Sequence, residues 1–161
     1  MTKDKRGERK IMCTLDELRS MVGQEVGVSD WYLIDQDMVN RFADLTDDHQ
    51  FHHVDPERAR DSPFGTTIAH GMLTLSLLRS MYESSKAPVL DGTSMAVSYG
   101  ANRLRFTAPV PTGSRVRGHF TLADLNEGDD GRVLQTFTFT VEIEGQSRPA
   151  LIAEWLIQFV R

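Results

Sequence analysis

The sequence has a single cysteine, Cys13, and no apolar run long enough to cross a membrane. One cysteine cannot form an intramolecular disulfide, which is typical of a protein from a reducing compartment. Outside residues 1–10 there is no dense cluster of lysine and arginine, and the net charge is −5. We therefore expect no nucleic-acid partner. Because no apolar segment follows the basic start, we also expect no export, no membrane association and a cytoplasmic location.

Internal repeats, low-complexity tracts and linkers are also missing from the 161 residues. A chain of this length buries roughly 70% of its unfolded surface in one domain, so it needs no disulfide or structural metal to fold. We predict a flexible, charged tail over residues 1–13 and one domain over residues 14–161.

The first half of the chain predicts helices joined by short breaks. The longest, over residues 68–84, is apolar on nearly every side, so we expect it to be enclosed at the centre of the fold. The other signals are a capping box at Thr14 and Glu17 that begins a helix ending at Gly23, a strand over 27–34, a helix from Asp35 to Thr46, and one turn from Asp55 and Pro56.

The second half has the period of two that is typical of strands. We predict four strands, over residues 95–99, 116–122, 133–143 and 151–159, each with one apolar face. For the first of them the predicted apolar face consists of Met95, Val97 and Tyr99. An antiparallel sheet that wraps around the apolar helix would bury all these faces together, which predicts an α+β fold.

Acid and base groups are concentrated between Thr46 and Asp55, where three of the five histidines lie. Within this segment Asp48 and His53 are five residues apart, and Asp55 follows. Downstream, Phe64-Gly65-Thr66-Thr67-Ile68-Ala69-His70-Gly71 leads into the apolar helix, and a third segment runs from Arg105 to Gly113.

These three segments, in this order, resemble the MaoC-like dehydratases and (R)-specific enoyl-CoA hydratases, a family of hotdog-fold proteins. The family pattern is close to Gly-Asp-x-Asn-Pro-x-His-x-Asp followed by Phe-Gly-x-x-Ile-Ala-His-Gly. Tyr99-Gly100-x-Asn102 is most similar to the nodulation protein N-like branch. The resemblance spans about residues 25–120 and implies a hotdog fold, an antiparallel β-sheet wrapped around a central α-helix.

The resemblance implies hydration of a 2-enoyl thioester to a 3-hydroxyacyl thioester, or the reverse. In this reaction His53 would activate water, Asp48 would orient it, and the Gly71 backbone N–H would bind the thioester oxygen. The implied substrate contacts are Gln50, His70, Asn102, Arg103 and Arg105. The substrate would be an acyl-CoA or acyl-carrier thioester, so that coenzyme A would be part of the substrate, and no cofactor is expected. The chain would form a homodimer or a higher homo-oligomer.

Three residues depart from the family pattern: Asp47 replaces glycine, Gln50 replaces asparagine and Phe51 replaces proline. Glutamine can form the same hydrogen bonds as asparagine from a longer arm. The carboxylate of Asp47, in contrast, would raise the pKa of Asp48 if both side chains were buried.

Other interpretations remain open from the sequence. His49, His52, His53 and Asp55 are chemically able to bind zinc, although their spacing is unlike that of common zinc sites, and we expect no metal. Arg103 and Arg105 would contact a phosphate of coenzyme A, or would only be solvated. A hotdog thioesterase and a non-catalytic acyl-thioester-binding protein are the rival functions.

Overall fold

The computed structural model describes residues 11–160, and residues 1–10 of the tail predicted over 1–13 lie outside this range. The elements follow the chain in the order β1 (Met12–Cys13), α1 (Leu15–Ser20), β2 (Glu25–Val28), β3 (Tyr32–Leu33), α2 (Gln36–Thr46), α3 (Phe51–Val54), α4 (Pro56–Arg60), α5 (Gly71–Ser76), α6 (Leu78–Ser84), β4 (Val89–Leu90), β5 (Met95–Phe106), β6 (Arg115–Glu127), β7 (Val133–Ile143) and β8 (Leu151–Val160).

Six strands form one antiparallel sheet in the order β2–β6–β7–β8–β5, with β3 also paired to β6. On β7 and β8, and on β6 as far as Leu122, every second residue is buried, as the period of two predicts. These buried faces surround α5 and α6, so the fold is α+β with helices enclosed by a curved sheet, and the predicted fold class is confirmed.

Tyr82 of α6 lies at the centre of the core. Its ring contacts the rings of Phe120, Phe137 and Trp155 edge-on, with centroid distances of 5.4, 5.5 and 5.1 Å. Edge-to-face contact is a preferred geometry for aromatic rings and adds to the free energy gained by burial. One aromatic side chain therefore ties the central helix to three strands of the sheet.

The central helix differs from its prediction in two ways. It begins at Gly71 rather than near Ile68, because the amides of Ile68 and Ala69 donate to the carbonyls of His52 and Val110 instead. It is also divided at Leu77 into α5 and α6. Thus the residues just before the helix belong to an extended segment, in which Ile68 forms an isolated antiparallel β-bridge with Pro111.

The predicted apolar face of β5 was wrong. Met95, Val97 and Tyr99 are exposed, by 54, 41 and 66%. The pairing with β8 explains this, because Ala96 and Ser98 are the residues opposite the buried Phe159 and Ile157. Since paired residues on adjacent strands lie on the same face, the small Ala96 and Ser98 are on the inner face of β5 and the large side chains are on the outer face.

Smaller elements also depart from the predictions. The predicted strand over 27–34 is two short strands, β2 and β3, and residues 51–54, predicted as loop, form α3. Met12 and Cys13, predicted as part of the tail, pair in parallel with Val89 and Leu90. No helix of the described residues is long and apolar enough to span a membrane.

Candidate active site

Asp48 follows the end of α2 in a tightly fixed backbone. The preceding Asp47 has a left-handed conformation, with φ of 56°, and caps the helix. The family pattern has glycine there, which adopts this conformation without strain, and aspartate is among the few residues that tolerate it. The amide of Asp48 donates to the carbonyl of Ala43 at 3.1 Å. Its carboxylate therefore leaves the helix in a defined direction.

The carboxyl group of Asp48 accepts a hydrogen bond of 3.2 Å from the side-chain amide of Gln50. This hydrogen bond is the largest cause of a lowered pKa for Asp48, and nearby histidines contribute. Asp47 does not oppose it, because its side chain is fully exposed. The condition under which Asp47 would raise the pKa of Asp48 is thus not met, and Asp48 is a carboxylate at neutral pH.

His53 lies on α3 with its side chain buried. Its Nδ1 is 2.7 Å from the carbonyl oxygen of Ile68. A carbonyl oxygen only accepts, so Nδ1 carries the proton and Nε2 of the neutral ring has a lone pair. No group of the described residues hydrogen-bonds to Nε2. Burial is the largest cause of a lowered pKa for His53, and the Ile68 hydrogen bond opposes it. His53 is therefore suited to act as a base.

A hydrogen-bond network that the sequence did not reveal supports the backbone of His53. The side-chain amide of Gln36 donates to the His53 carbonyl at 2.8 Å. In turn, the Gln36 carbonyl accepts from the buried hydroxyl of Thr67 at 2.6 Å, and that hydroxyl is 3.0 Å from the hydroxyl of Thr112. Gln36 follows the cap residue of α2, and such a position gives no sequence signal for a distant contact.

Asp48, His53, His70 and Gly71 line one cavity of about 730 Å³. One carboxylate oxygen of Asp48 and one ring nitrogen each of His53 and His70 lie within 4.8 Å of one another. The remaining wall is largely apolar and is formed by side chains from α2, α5, the end of β5 and the segment after it, among them Phe42, Met72, Phe106, Ala108 and Val110. Charged and basic groups thus meet at one end of an otherwise apolar cavity.

Met72 and Phe106 are wall residues that the sequence did not assign to a site. Met72 lies in the apolar helix predicted over residues 68–84, which favours a core position, but it is 52% exposed and lines the cavity. The Phe106 ring covers Gly71: a Cβ added at Gly71 would lie 2.8 Å from it. The absence of a side chain at Gly71 is therefore required by this contact as well as useful to a ligand.

The other predicted substrate contacts lie in different places. Gln50 and His70 both bond to Asp48, whereas Asn102, Arg103 and Arg105 are exposed and do not line the cavity. They lie at an irregularity of β5, where Arg103 has φ of 50° and forms an ion pair of 3.0 Å with Glu154. Arg105 directly precedes the cavity residue Phe106, so it remains near the cavity's edge.

The four residues considered as zinc ligands have other contacts. The ring of His49 bonds to Asp44 at 2.9 Å, and the Asp55 side chain caps α4 by accepting from the Arg58 amide. Histidine binds zinc through an in-plane lone pair at about 2 Å.

The converging set, Asp48, His53 and His70, does not form a zinc site in this arrangement. The rings of His53 and His70 are stacked, with centroids 3.7 Å apart and planes only 23° from parallel. An ion bound by both rings would have to lie in both ring planes, about 2 Å from a nitrogen of each. Two nearly parallel planes at this separation have no such point in common. One ion could not be bound by both rings unless one of them turned.

Comparison with known proteins agrees with the fold and with the family that the sequence resembles. Residues 17–143 match the family model described as MaoC like domain. The chain is 50% identical over 149 residues to Nodulation protein N of Rhizobium leguminosarum bv. viciae, covering 91% of this chain and 92% of that protein. It is 47% identical over 144 residues to 3-hydroxyacyl-thioester dehydratase Z of Mycobacterium tuberculosis, covering 89% and 94%.

Two solved structures are similar over most of their length. The MaoC-like dehydratase from Rhodospirillum rubrum has a TM-score of 0.73 at 21% identity, covering 92% of this chain and 97% of that one. The (R)-hydratase from A. caviae involved in PHA biosynthesis has a TM-score of 0.67 at 26% identity, covering 83% and 95%. The sheet and its enclosed helices are therefore those of the hotdog fold.

Proposed function

Since this chain belongs to the MaoC-like domain family, we propose that it is a hydratase/dehydratase of acyl thioesters, which interconverts a trans-2-enoyl thioester and an (R)-3-hydroxyacyl thioester. A relative that is 47% identical is a 3-hydroxyacyl-thioester dehydratase. The observation that carries the proposal is the convergence of Asp48 and His53 in the wall of a largely apolar cavity. The lowered pKa values of both groups agree with it.

The hydration step uses three groups of this site. The lone pair on His53 Nε2 accepts a proton from a water molecule held by the Asp48 carboxylate, and the water oxygen bonds to C3 of the substrate. The electrons of the double bond move to the thioester oxygen, where the Gly71 N–H stabilises the enolate charge. The enolate then collapses and C2 takes up the proton that the His53–Asp48 pair received. Dehydration is the reverse.

The Gly71 amide is able to serve in this way for two reasons. It is the first residue of α5, so it has no intrahelical acceptor. It also lines the cavity without a side chain that would keep a carbonyl oxygen away. A donor placed where charge develops lowers the barrier more than one that binds only the ground state.

The acyl chain would occupy the apolar part of the cavity, beside Met72 and Phe106. Coenzyme A or an acyl carrier would remain outside, and no bound cofactor takes part in the reaction. Gln50 would act through Asp48, while Asn102, Arg103 and Arg105 are positioned outside the cavity for contact with the carrier. We place the enzyme in the cytoplasm, where acyl thioesters are metabolised.

Hydration of crotonyl-CoA, followed as the loss of enoyl-thioester absorbance, tests the proposal. We expect activity in the purified protein and a loss of at least about 100-fold in kcat/KM for D48N and for H53A. D47N and H49Q are matched controls, because both side chains are exposed in the same segment. Full activity in either D48N or H53A would contradict the proposed roles.

Product analysis separates the rival functions in the same reactions. A thioesterase would release free thiol from crotonyl-CoA, and a non-catalytic binding protein would bind the thioester without turnover. Either result would replace the proposed function. A 3-hydroxyacyl product of the (R) configuration, with no free thiol, would support it.

A homodimer is part of the proposal. β5 pairs with β8 along one edge, and no strand of the described residues covers its other edge. Its outward side chains include the exposed Met95, Val97 and Tyr99. A long unpaired edge with large apolar side chains favours pairing with another chain. Pairing of two β5 strands would continue the sheet across a two-fold axis.

A further inference from the structure

His70 is held between the two proposed catalytic residues. Only 4% of it is exposed. Its Nε2 is 2.9 Å from the backbone oxygen of Asp48, and its ring is stacked on that of His53 at 3.7 Å. On another side the ring contacts Phe42, with a centroid distance of 5.1 Å. One buried imidazole thus contacts both the acid and the base of the site.

The hydrogen bonds determine where the protons lie on the two stacked rings. Because the Asp48 carbonyl only accepts, Nε2 of His70 donates, and Nδ1 of the neutral ring has the lone pair. In His53 the assignment is reversed, since Nδ1 donates to Ile68. Each ring is therefore fixed in one tautomer by a backbone carbonyl, and His53 keeps its Nε2 lone pair for the substrate side.

The contact with His70 completes the restraint of the Asp48 backbone. The Asp48 amide is bonded to Ala43 and its carbonyl to His70. With both backbone groups bonded, the freedom of Asp48 is limited to its side chain. The ring of His53 has a similar pair of restraints, the Ile68 carbonyl at one edge and the His70 ring against its face.

We propose that His70 is a positioning residue, which fixes the Asp48 carboxylate and the His53 ring relative to each other and does not itself bind substrate. This inference rests on the proposed function, because it assigns His70 a task for those two groups. It replaces the role of substrate contact that the family resemblance implied for His70.

The unpaired nitrogen of His70 argues against simple packing. Nδ1 is buried and has no hydrogen-bond partner among the described residues. A buried acceptor without a donor costs free energy, and an aromatic hydrocarbon side chain would fill the same space without that cost. The hydrogen bond from Nε2 to Asp48 and the stacking against His53 are what an imidazole offers there.

Two variants separate the functions of the ring. H70F keeps an aromatic face against His53 but cannot donate to Asp48, and H70Q keeps an amide donor but loses the stacking. We expect both to lower kcat for crotonyl-CoA hydration by about 10- to 100-fold, as small misplacements of catalytic groups do. KM should stay within about twofold, because His70 does not touch the substrate in this proposal. A KM effect that exceeds the kcat effect, or wild-type kcat in both variants, would overturn it.

NMR of the ring nitrogens in the free protein tests the arrangement without any activity. We expect His70 as the Nε2–H tautomer and His53 as the Nδ1–H tautomer at neutral pH. In H70Q the pKa of His53 should rise towards its ordinary value, since the His70 ring that covers one face of His53 is lost and burial is the largest cause of the lowered pKa. The opposite tautomers in the wild type would refute the inference.

The two readouts also separate this inference from the proposed function. Expected tautomers in a protein without hydratase activity would leave the positioning geometry intact and remove the proposed function. Hydratase activity that is unchanged in well-folded H70F and H70Q would keep the proposed function and remove the positioning role of His70. If the variants lose their structure in circular dichroism, the wild-type tautomers and the His53 titration decide.

Discussion

The surroundings of Asp48 and His53 favour a different charge state at each: the carboxylate is favoured at Asp48 and the neutral imidazole at His53. A hydrogen bond from an exposed amide keeps Asp48 ionised, and burial keeps His53 neutral. The sequence located both residues through their spacing, but it could not give these protonation states. They depend on Gln50, on Ile68 and on the depth of α3, which only the folded chain brings together.

The pH dependence of kcat/KM follows from the His53 shift. Since its pKa is lowered below the ordinary value of about 6.5, the neutral base persists to a lower pH than in a solvated histidine. We expect the acid side of the hydration profile to fall with a midpoint below about 6.5. NMR titration of His53 should give the same midpoint.

D48N provides an internal check on that assignment. The Asp48 charge favours protonated His53, so removing it should lower the His53 midpoint further. D47N, whose exposed carboxyl group is absent from the causes of the His53 shift, should leave it nearly unchanged. A wild-type midpoint above 6.5 would show that burial is not the dominant influence on His53.

Gly71 allows a test that distinguishes packing from catalysis. G71A places a methyl group 2.8 Å from the Phe106 ring, so we expect a loss of about 1–3 kcal/mol in the free energy of unfolding. F106A in the same chain removes that clash. The double variant should therefore recover most of the stability lost by G71A, measured against F106A alone by denaturant unfolding.

Activity should not recover with stability in that double variant. A methyl group at residue 71 still stands beside the amide that is proposed to bind the thioester oxygen. If G71A/F106A were as active as F106A, the absence of a side chain at Gly71 would serve only the contact with Phe106. The close approach of substrate to that amide would then lose its support.

At the scale of elements, three helix starts and the strands with alternating burial were predictable from local signals. The capping box at Thr14 and Glu17 and the caps at Asp35 and Asp55 form as predicted. The face of β5 was not predictable, because it depends on pairing with β8. Ala96 and Ser98 share the face of the buried Phe159 and Ile157, although Met95 and Val97 are more apolar. Tertiary pairing here outweighs the local pattern.

The start of α2 supports the catalytic segment, which makes Gln36 a test at the element scale. Q36L would remove the donor to the His53 carbonyl and the acceptor for the Thr67 hydroxyl. We expect a loss of about 1–3 kcal/mol in the free energy of unfolding, since buried polar groups would lose partners. kcat should fall as α3 loosens, measured by crotonyl-CoA hydration.

D37N is a suitable control for that variant. Asp37 is the next residue on α2, and its side chain is 79% exposed in a helical pair with Arg41. Exposed pairs of this kind contribute little, so its stability should change by less than about 1 kcal/mol. If Q36L were as stable and active as D37N, the hydrogen bonds of Gln36 would not position His53.

At the scale of the whole molecule, the fold brings the site together at one edge of the sheet. Asp48 and His53 come from the segment after α2, Gly71 from the start of α5 and Phe106 from the end of β5. β5 is also the strand whose outer edge is unpaired. The proposed dimer contact and the cavity therefore share one strand, so the assembly affects the cavity wall.

The assembly can be measured directly. We expect light scattering after gel filtration to give twice the 18.2 kDa mass of one chain.

V97K adds a charge to the outer face of β5, where two-fold pairing would bring it close to the same residue of the second copy. Like charges in such a contact repel, so the variant should dissociate at concentrations at least tenfold higher than the wild type. T136K adds the same charge to the outer face of β7, two strands away, and should remain a dimer. A monomeric wild type, or equal dissociation of the two variants, would mean that β5 is not the dimer contact.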